Sequence, residues 1–287
     1  MGQGVLGTKK LDEFNIFEAS RFPRQHYNLL GKMDEKIISL LEKHNIIIAG
    51  GAVTSVFSGA TIKDFDLYPL NTVSYTEFKR EFEQLIKESD DSRDKQLFST
   101  VNAITYRYRS KIYQLINKYV SVDCLVYQPE WSVAEILGNF DFTVCMAGFD
   151  CKNSQWVLYD NFLSDIAERR LMFNTHSAYP ICAMYRVLKY IKKGYELSGG
   201  ELVKIALSIN QIEMLTYKDL KEQLLGIDTL IFKDLTDALI SKHGETAPVD
   251  FGMVMEEINN KLNSIWENTE VDVEEVAKFD NTEFPFD

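Results

Sequence analysis

Residues 46–66, IIIAGGAVTSVFSGATIKDFD, constrain the chain more than any other segment. Ile46-Ile47-Ile48-Ala49 is short, apolar and β-branched, the composition of a buried strand. Gly50-Gly51 ends that run, and Ala52 to Ser58 can continue as a short helix. Such a turn presents backbone N–H groups at a helix N-terminus, where anions bind. Phe65 to Leu70 reads as a second strand, bounded by Pro69 and Asn71. Side chains alternate along a strand, so Asp64 and Asp66 point the same way while Phe65 points to the core. Taken singly, each signal is weak. Two aspartates one residue apart occur on many surface strands, and Gly-Gly is as often a plain tight turn. In this order and spacing they describe one place for a metal and a triphosphate.

Phosphoryl transfer asks little covalent help of a protein. It needs metal ions to neutralise charge, and a fixed in-line geometry. Asp64 and Asp66 form a pair able to bridge two Mg²⁺ ions. Asp123, in the apolar strand-like VSVDCLVY, is the natural third carboxylate, because an unpaired charge there is otherwise costly. A strand-edge aspartate facing solvent is the alternative. Thr54 and Ser55 add hydroxyls beside the glycines, to serve as donors to the triphosphate.

The segment GGAVTSVFSGATIKDFDLY resembles the signature of class II tRNA nucleotidyltransferases and bacterial poly(A) polymerases, GGxVRDxLLGxxxKDxD. Gly50, Gly51, Val53, Gly59, Lys63, Asp64 and Asp66 align without a gap. NFDFTVCMAGFD, residues 139–150, resembles that family's RRDFTxNALxYD, and DNFLSDIAERRL, residues 160–171, follows its next segment. RVLKY, residues 186–190, is similar to a stretch of the family's neck helix. The resemblance spans residues 45–192, about half the chain. It implies a polymerase-β-like fold and places Asp123 where that family carries its third carboxylate. It further implies nucleotide contacts from Gly50, Gly51, Ser55, Lys63, Asp141, Arg186 and Lys189.

For some of these the residues leave a second reading open. Asp141 either binds nucleotide or caps a turn. Arg186 and Lys189, one turn apart, either meet a triphosphate or lie on a solvated helix face. Departures from the family pattern are specific. Thr54-Ser55 replace an Arg-Asp pair, and Asn139-Phe140 replace two arginines. The base-selecting motif of the neck has no counterpart closer than Gln211-Ile212-Glu213. The helical half is also short for the body and tail that grip a tRNA in that family.

Charge limits the partners. The net charge of −12, from 43 acidic and 31 basic residues, argues against tight non-specific binding of long nucleic acid. A small basic patch from Arg169, Arg170, Arg186, Lys189, Lys192 and Lys193 remains compatible with it. No apolar run approaches the roughly 20 residues of a membrane-spanning helix. The N-terminus has no secretory leader, and Leu6 is wrong for myristoylation. Cys124, Cys145, Cys151 and Cys182 form no C-x-x-C pair, which argues against zinc and against a disulfide framework. Reduced, packed thiols suit a cytoplasmic protein. The four histidines have no partners at ligand spacing and are read as surface or cap residues.

Periodicity completes the organisation. Helical patterns cover 31–44 and 74–87, and 103–108 with 111–116 read as a hairpin across Arg109-Ser110. Residues 120–127, 142–149 and 156–159 read as strands, and Asp90 to Asp94 as a charged turn. From Ser177 onward helical patterns dominate: 181–193, 201–209, 217–225, 230–241 and 252–266. The expected fold is α+β, a mixed sheet backed by helices and followed by an all-helical domain. Its expected divisions are an N-terminal arm (1–30), a catalytic domain (31–175) and a helical neck and C-terminal domain (176–287), with nucleotide in a cleft between the halves. The expected activity is template-independent transfer of a nucleotide from an NTP to an acceptor, an RNA 3′ end such as that of tRNA, by two-Mg²⁺ catalysis. The rival expectations are a protein or small-molecule acceptor, or a binding role on a fold that has lost turnover.

Overall fold

The computed structural model describes residues 11–99, 103–117, 131–224 and 230–267. The chain divides into two compact units, Met1–Ala178 and Tyr179–Asp287.

The first unit is built on one mixed sheet of eight strands: β1 (Phe14–Glu18), β2 (Ile46–Ala49), β3 (Asp64–Pro69), β4 (Lys95–Ser99), β5 (Ala103–Tyr108), β6 (Lys111–Ile116), β7 (Ala147–Asp150) and β8 (Gln155–Tyr159). They lie in the order β1-β8-β7-β2-β3-β6-β5-β4. The β3–β6 pair is parallel, with Asp64 opposite Ile112 and Asp66 opposite Gln114, and its neighbours are antiparallel. Among the described residues six helices accompany the sheet: α1 (Pro23–Leu30), α2 (Glu35–Lys43), α3 (Gly51–Ser58), α4 (Thr72–Lys87), α5 (Val133–Leu137) and α6 (Phe162–Ala167).

Alternation sorts the strand side chains onto two faces. Phe65, Tyr106, Tyr113, Phe149 and Trp156 share one face. There Phe57 of α3 meets Trp156 edge-on at 5.1 Å, and Phe82 of α4 meets Tyr106 at 5.2 Å and Tyr113 at 5.5 Å. Phe65 stacks on Tyr113, so it points into the core as its position in Asp-Phe-Asp requires. Burial pushes the Tyr113 phenol well above the usual tyrosine range. The opposite face carries Ile47, Ala49, Tyr68 and Val157, packed with Ala134, Ile136 and Leu137 of α5. Asp64 and Asp66 belong to this second face, beyond the apolar patch.

Local chemistry accounts for most boundaries. Asp34 caps α2 by accepting the Lys36 amide at 2.9 Å, and Ile37 and Leu41 sit buried one turn apart. Asn71 caps α4 through the Ser74 amide at 2.8 Å. Arg109 and Ser110 both take positive φ, 49° and 61°, as a two-residue hairpin loop demands. Asp94 holds that loop by accepting the Arg109 amide at 2.9 Å.

Several elements differ from the periodicity. Phe14–Glu18, inside the segment read as an arm, forms the edge strand β1 against β8. Residues 142–149 split into a 3₁₀ turn, Thr143–Cys145, and the strand β7. The split follows from Thr143, whose hydroxyl donates to the buried Asp165 at 2.7 Å, and from Gly148. A Cβ on Gly148 would come within 3.1 Å of Ile47 and 3.3 Å of Leu137. β4 and α5 carry no clear period, although Ser132 and Glu135 form a complete capping box that marks the start of α5. The strand read at 120–127 lies outside the described residues.

The second unit consists of helices in its described part: α7 (Pro180–Lys192), α8 (Gly199–Asn210), α9 (Tyr217–Leu224), α10 (Leu230–His243) and α11 (Phe251–Glu267). Cys182, Tyr217, Leu220, Leu235, Leu239 and Val254 form its core. These elements, with the mixed sheet before them, make the chain α+β. No helix among the described residues is long and apolar enough to cross a membrane.

Candidate functional site

The site is assembled where β2 ends beside the start of β3, with Ala49 opposite Asp66. Gly50 leaves β2 with φ 68° and ψ −130°, a conformation open to glycine and strained for other residues. Its amide donates to the Ala147 carbonyl at 3.2 Å, and its carbonyl accepts the Thr54 amide at 3.0 Å as the first bond of α3. A Cβ on Gly50 would stand 3.4 Å from Asp66 Oδ2 and 3.9 Å from the Phe140 ring. Glycine is thus required here for its backbone angles, while a Cβ would make only ordinary contact with the carboxylate. A Cβ on Gly51 would meet nothing within 4 Å. The first amides of α3 have no intrahelical acceptor, as at any helix start, and they follow this turn directly.

Asp64 is 7% exposed and accepts the Gln114 side-chain amide at 2.7 Å on Oδ2. Asp66, half-buried, is two residues further along the same face. Gln114 is buried on the parallel strand β6, directly opposite Asp66. Thr105 follows on β5 opposite Gln114, fully buried, its hydroxyl without a hydrogen-bond partner among the described residues. A polar row therefore runs across β3, β6 and β5 on one face of the sheet. Sequence reasoning missed Gln114 and Thr105. The readable signal was a glutamine inside the otherwise apolar KIYQLI.

The donor set suits a hard divalent cation: carboxylate oxygens on one strand face, one of them oriented by an amide, beside a backbone turn that admits phosphate. Among the described residues no three His, Cys, Asp or Glu side chains gather as a metal-binding group. Asp123, expected as the third carboxylate, lies outside the described residues, as does Cys124.

Other expected residues take varied positions. Thr54, expected as a donor to phosphate, stands with its hydroxyl 2.7 Å from the Val144 carbonyl and 3.1 Å from the Gly50 carbonyl. Its single proton is thereby committed, and it fixes α3 to the sheet unit instead. Ser55 is half-buried on α3, and its carbonyl accepts the Ala60 amide at the helix end. Lys63 is exposed immediately before Asp64. Asp141 is buried and accepts the Ser177 hydroxyl at 2.6 Å. Asn174 donates to the carbonyls of Gly138 and Phe140 at 2.7 and 2.8 Å, which holds the same loop. Asp165 pairs with Arg170 at 3.1 Å, and Asp160 accepts the Asn15 amide at 2.8 Å. Both tie loops down. Arg186 and Lys189 are half-buried, one turn apart on α7 in the second unit.

The family model described as "Gabija anti-defense 2 family protein" matches residues 20–169, more than half the chain and the whole of the site just described. The chain belongs to that family. Within it, the protein called Gabija anti-defense 2 from Bacillus phage SPbetaL7 is 30% identical over 199 residues. That match covers 69% of this chain and 46% of the relative, so the chain spans about half the length of the curated relative it matches.

Among solved structures, the Thermotoga maritima CCA-adding enzyme complexed with tRNA matches 79% of this chain and 54% of its own, at 13% identity and a TM-score of 0.48. The Bacillus stearothermophilus CCA-adding enzyme in complex with CTP matches 73% and 51%, at 15% identity and a TM-score of 0.45. Likenesses at this level carry no conclusion about activity.

Proposed function

We propose that this member of the Gabija anti-defense 2 family is a template-independent nucleotidyltransferase. One observation carries the reading: the Gly50 turn into α3 lies beside Asp66, one of two carboxylates on the same face of β3. A phosphate cradle and a metal pair are thereby neighbours, as transfer from a nucleoside triphosphate requires. Asp64 and Asp66 would hold Mg²⁺, with Asp123 completing the set. When bound, Mg²⁺ neutralises triphosphate charge and lowers the pKa of the attacking hydroxyl. Gln114 orients Asp64, and Gly50, Gly51 and the first amides of α3 receive the phosphate oxygens. Ser55 and Lys63 flank this cradle in sequence, and Arg186 and Lys189 are candidates for the triphosphate from the helical unit. The acceptor is an RNA 3′ end on the motif resemblance, and its attacking hydroxyl displaces pyrophosphate.

A second reading draws on the family description. A protein set against Gabija can act by binding a defence protein on this fold without turnover. The two readings part on one experiment. The chain is incubated with Mg²⁺, each labelled triphosphate, and either total RNA or purified Gabija proteins. Label transferred by the wild-type chain should fall by a factor on the order of 10³ in Asp66→Asn, since losing a metal ligand removes several kcal/mol of charge stabilisation. Undiminished transfer by that variant rules the site out. No transfer, with anti-defense activity retained by Asp66→Asn, establishes the binding role.

A further inference from the structure

A cavity of about 410 Å³ lies on the sheet unit outside the carboxylate site. Its walls include Arg24, Gln25 and Asn28 of α1, Lys32, the Gly59–Ile62 loop after α3, and Lys111 at the start of β6. No Asp or Glu lines it. Arg24, Lys32 and Lys111 make no ion pair or side-chain hydrogen bond among the described residues. Arg24 and Lys32 are exposed and Lys111 is half-buried, so all three can meet a ligand from solvent.

Three like charges around one hollow repel each other unless they share an anion. The last turn of α3, Val56 to Ser58, lines the same hollow and opposes the cations with a charge of about one half. Three full charges outweigh it. The volume falls within the roughly 300–1,000 Å³ of small-ligand sites. A guanidinium beside two ammonium groups matches the oxygens of phosphate, with Gln25, Asn28 and Thr61 as neutral donors.

We propose that this cavity is a second anion site, separate from the Gly50-Gly51 turn, which binds phosphate groups. Lys111 directly precedes Ile112, the β3 partner of Asp64, so the cavity opens at the same end of the sheet as the carboxylates. It belongs to the other face, where Phe65 lines its floor. The phosphates belong either to a free polyphosphate tail or to the backbone of a short single strand. The assignment does not depend on catalysis at Asp64 and Asp66.

The test is calorimetric titration of the full chain with sodium tripolyphosphate, and separately with a short single-stranded RNA, in EDTA at low salt. Tripolyphosphate should bind, and Arg24→Gln combined with Lys111→Gln should weaken it about tenfold or more, as the loss of charged hydrogen bonds predicts. Lys111→Arg and Asp66→Asn should leave the affinity within about twofold of wild type. Binding of the RNA alone, with the same loss in the double variant, supports the site and assigns the phosphates to a nucleic-acid backbone. Absence of binding by both probes overturns the proposal. So does equal binding by a double variant whose thermal unfolding matches wild type, or loss of binding in Asp66→Asn.

Discussion

The two units bury their apolar side chains differently. The bulkiest fully buried side chains among the described residues, including Trp156, Tyr106, Tyr113, Phe78 and Phe149, belong to the sheet unit. Its carboxylates at Asp64, Asp141 and Asp165 are also buried, each with a polar partner. The helical unit has a core of smaller extent and leaves a row of apolar residues on α7 in solvent. Met184, Leu188 and Ile191, at helical spacing, are 49%, 60% and 50% exposed. A sheet packed by helices on both faces can hold charge rigidly, because every neighbour of the charged group is itself fixed.

That contrast can be broken by substitution. Trp156→Ala should cost the sheet unit about 3–5 kcal/mol, read from the urea midpoint of near-ultraviolet circular dichroism, because a fully buried indole leaves a cavity. A cost below about 1 kcal/mol would mean that the sheet core is looser than its geometry. Gly50→Ala should be milder in stability, about 1–2 kcal/mol, because φ 68° with ψ −130° strains an L-residue. Its signature is a second effect, loss of transfer activity through distortion of the turn beside Asp66. A variant that keeps full activity would detach the glycine from the carboxylate pair. The smallest effect is expected for Leu188→Ala, within about 0.5 kcal/mol in thermal unfolding, since the side chain is already mostly in solvent. A larger loss would show that this stripe is covered in solution.

Much of the fold could be read from local signals. The β5–β6 hairpin matches its expected bounds because strand periodicity and the two-residue turn agree. The strand–Gly-Gly–helix–strand order of residues 46–69 is equally legible, since β-branched residues, glycine and the Asp-Phe-Asp alternation each point to a single conformation. What escaped was non-local. Edge strand β1 is defined by its pairing with β8, some 140 positions later in the chain, and its own residues carry no clear period. Thr143 sits in a strand-like run, yet its bond to Asp165 turns the backbone there.

The same division holds for the candidate site. By itself the sequence determined the chemistry of residues 50–66: two carboxylates on one strand face and a glycine turn before a helix, because strand alternation and glycine's backbone freedom are local properties. Tertiary structure alone decided what surrounds them. It brought Gln114 to Asp64 through a parallel pairing that no local pattern encodes. It turned Thr54 inward to Val144, and it gave Asp141 to Ser177. It also brought Lys111, remote in sequence, to Arg24 and Lys32 around one hollow. Hydrogen bonds and charge clusters between remote segments depend on register and helix placement, which emerge only when the core packs.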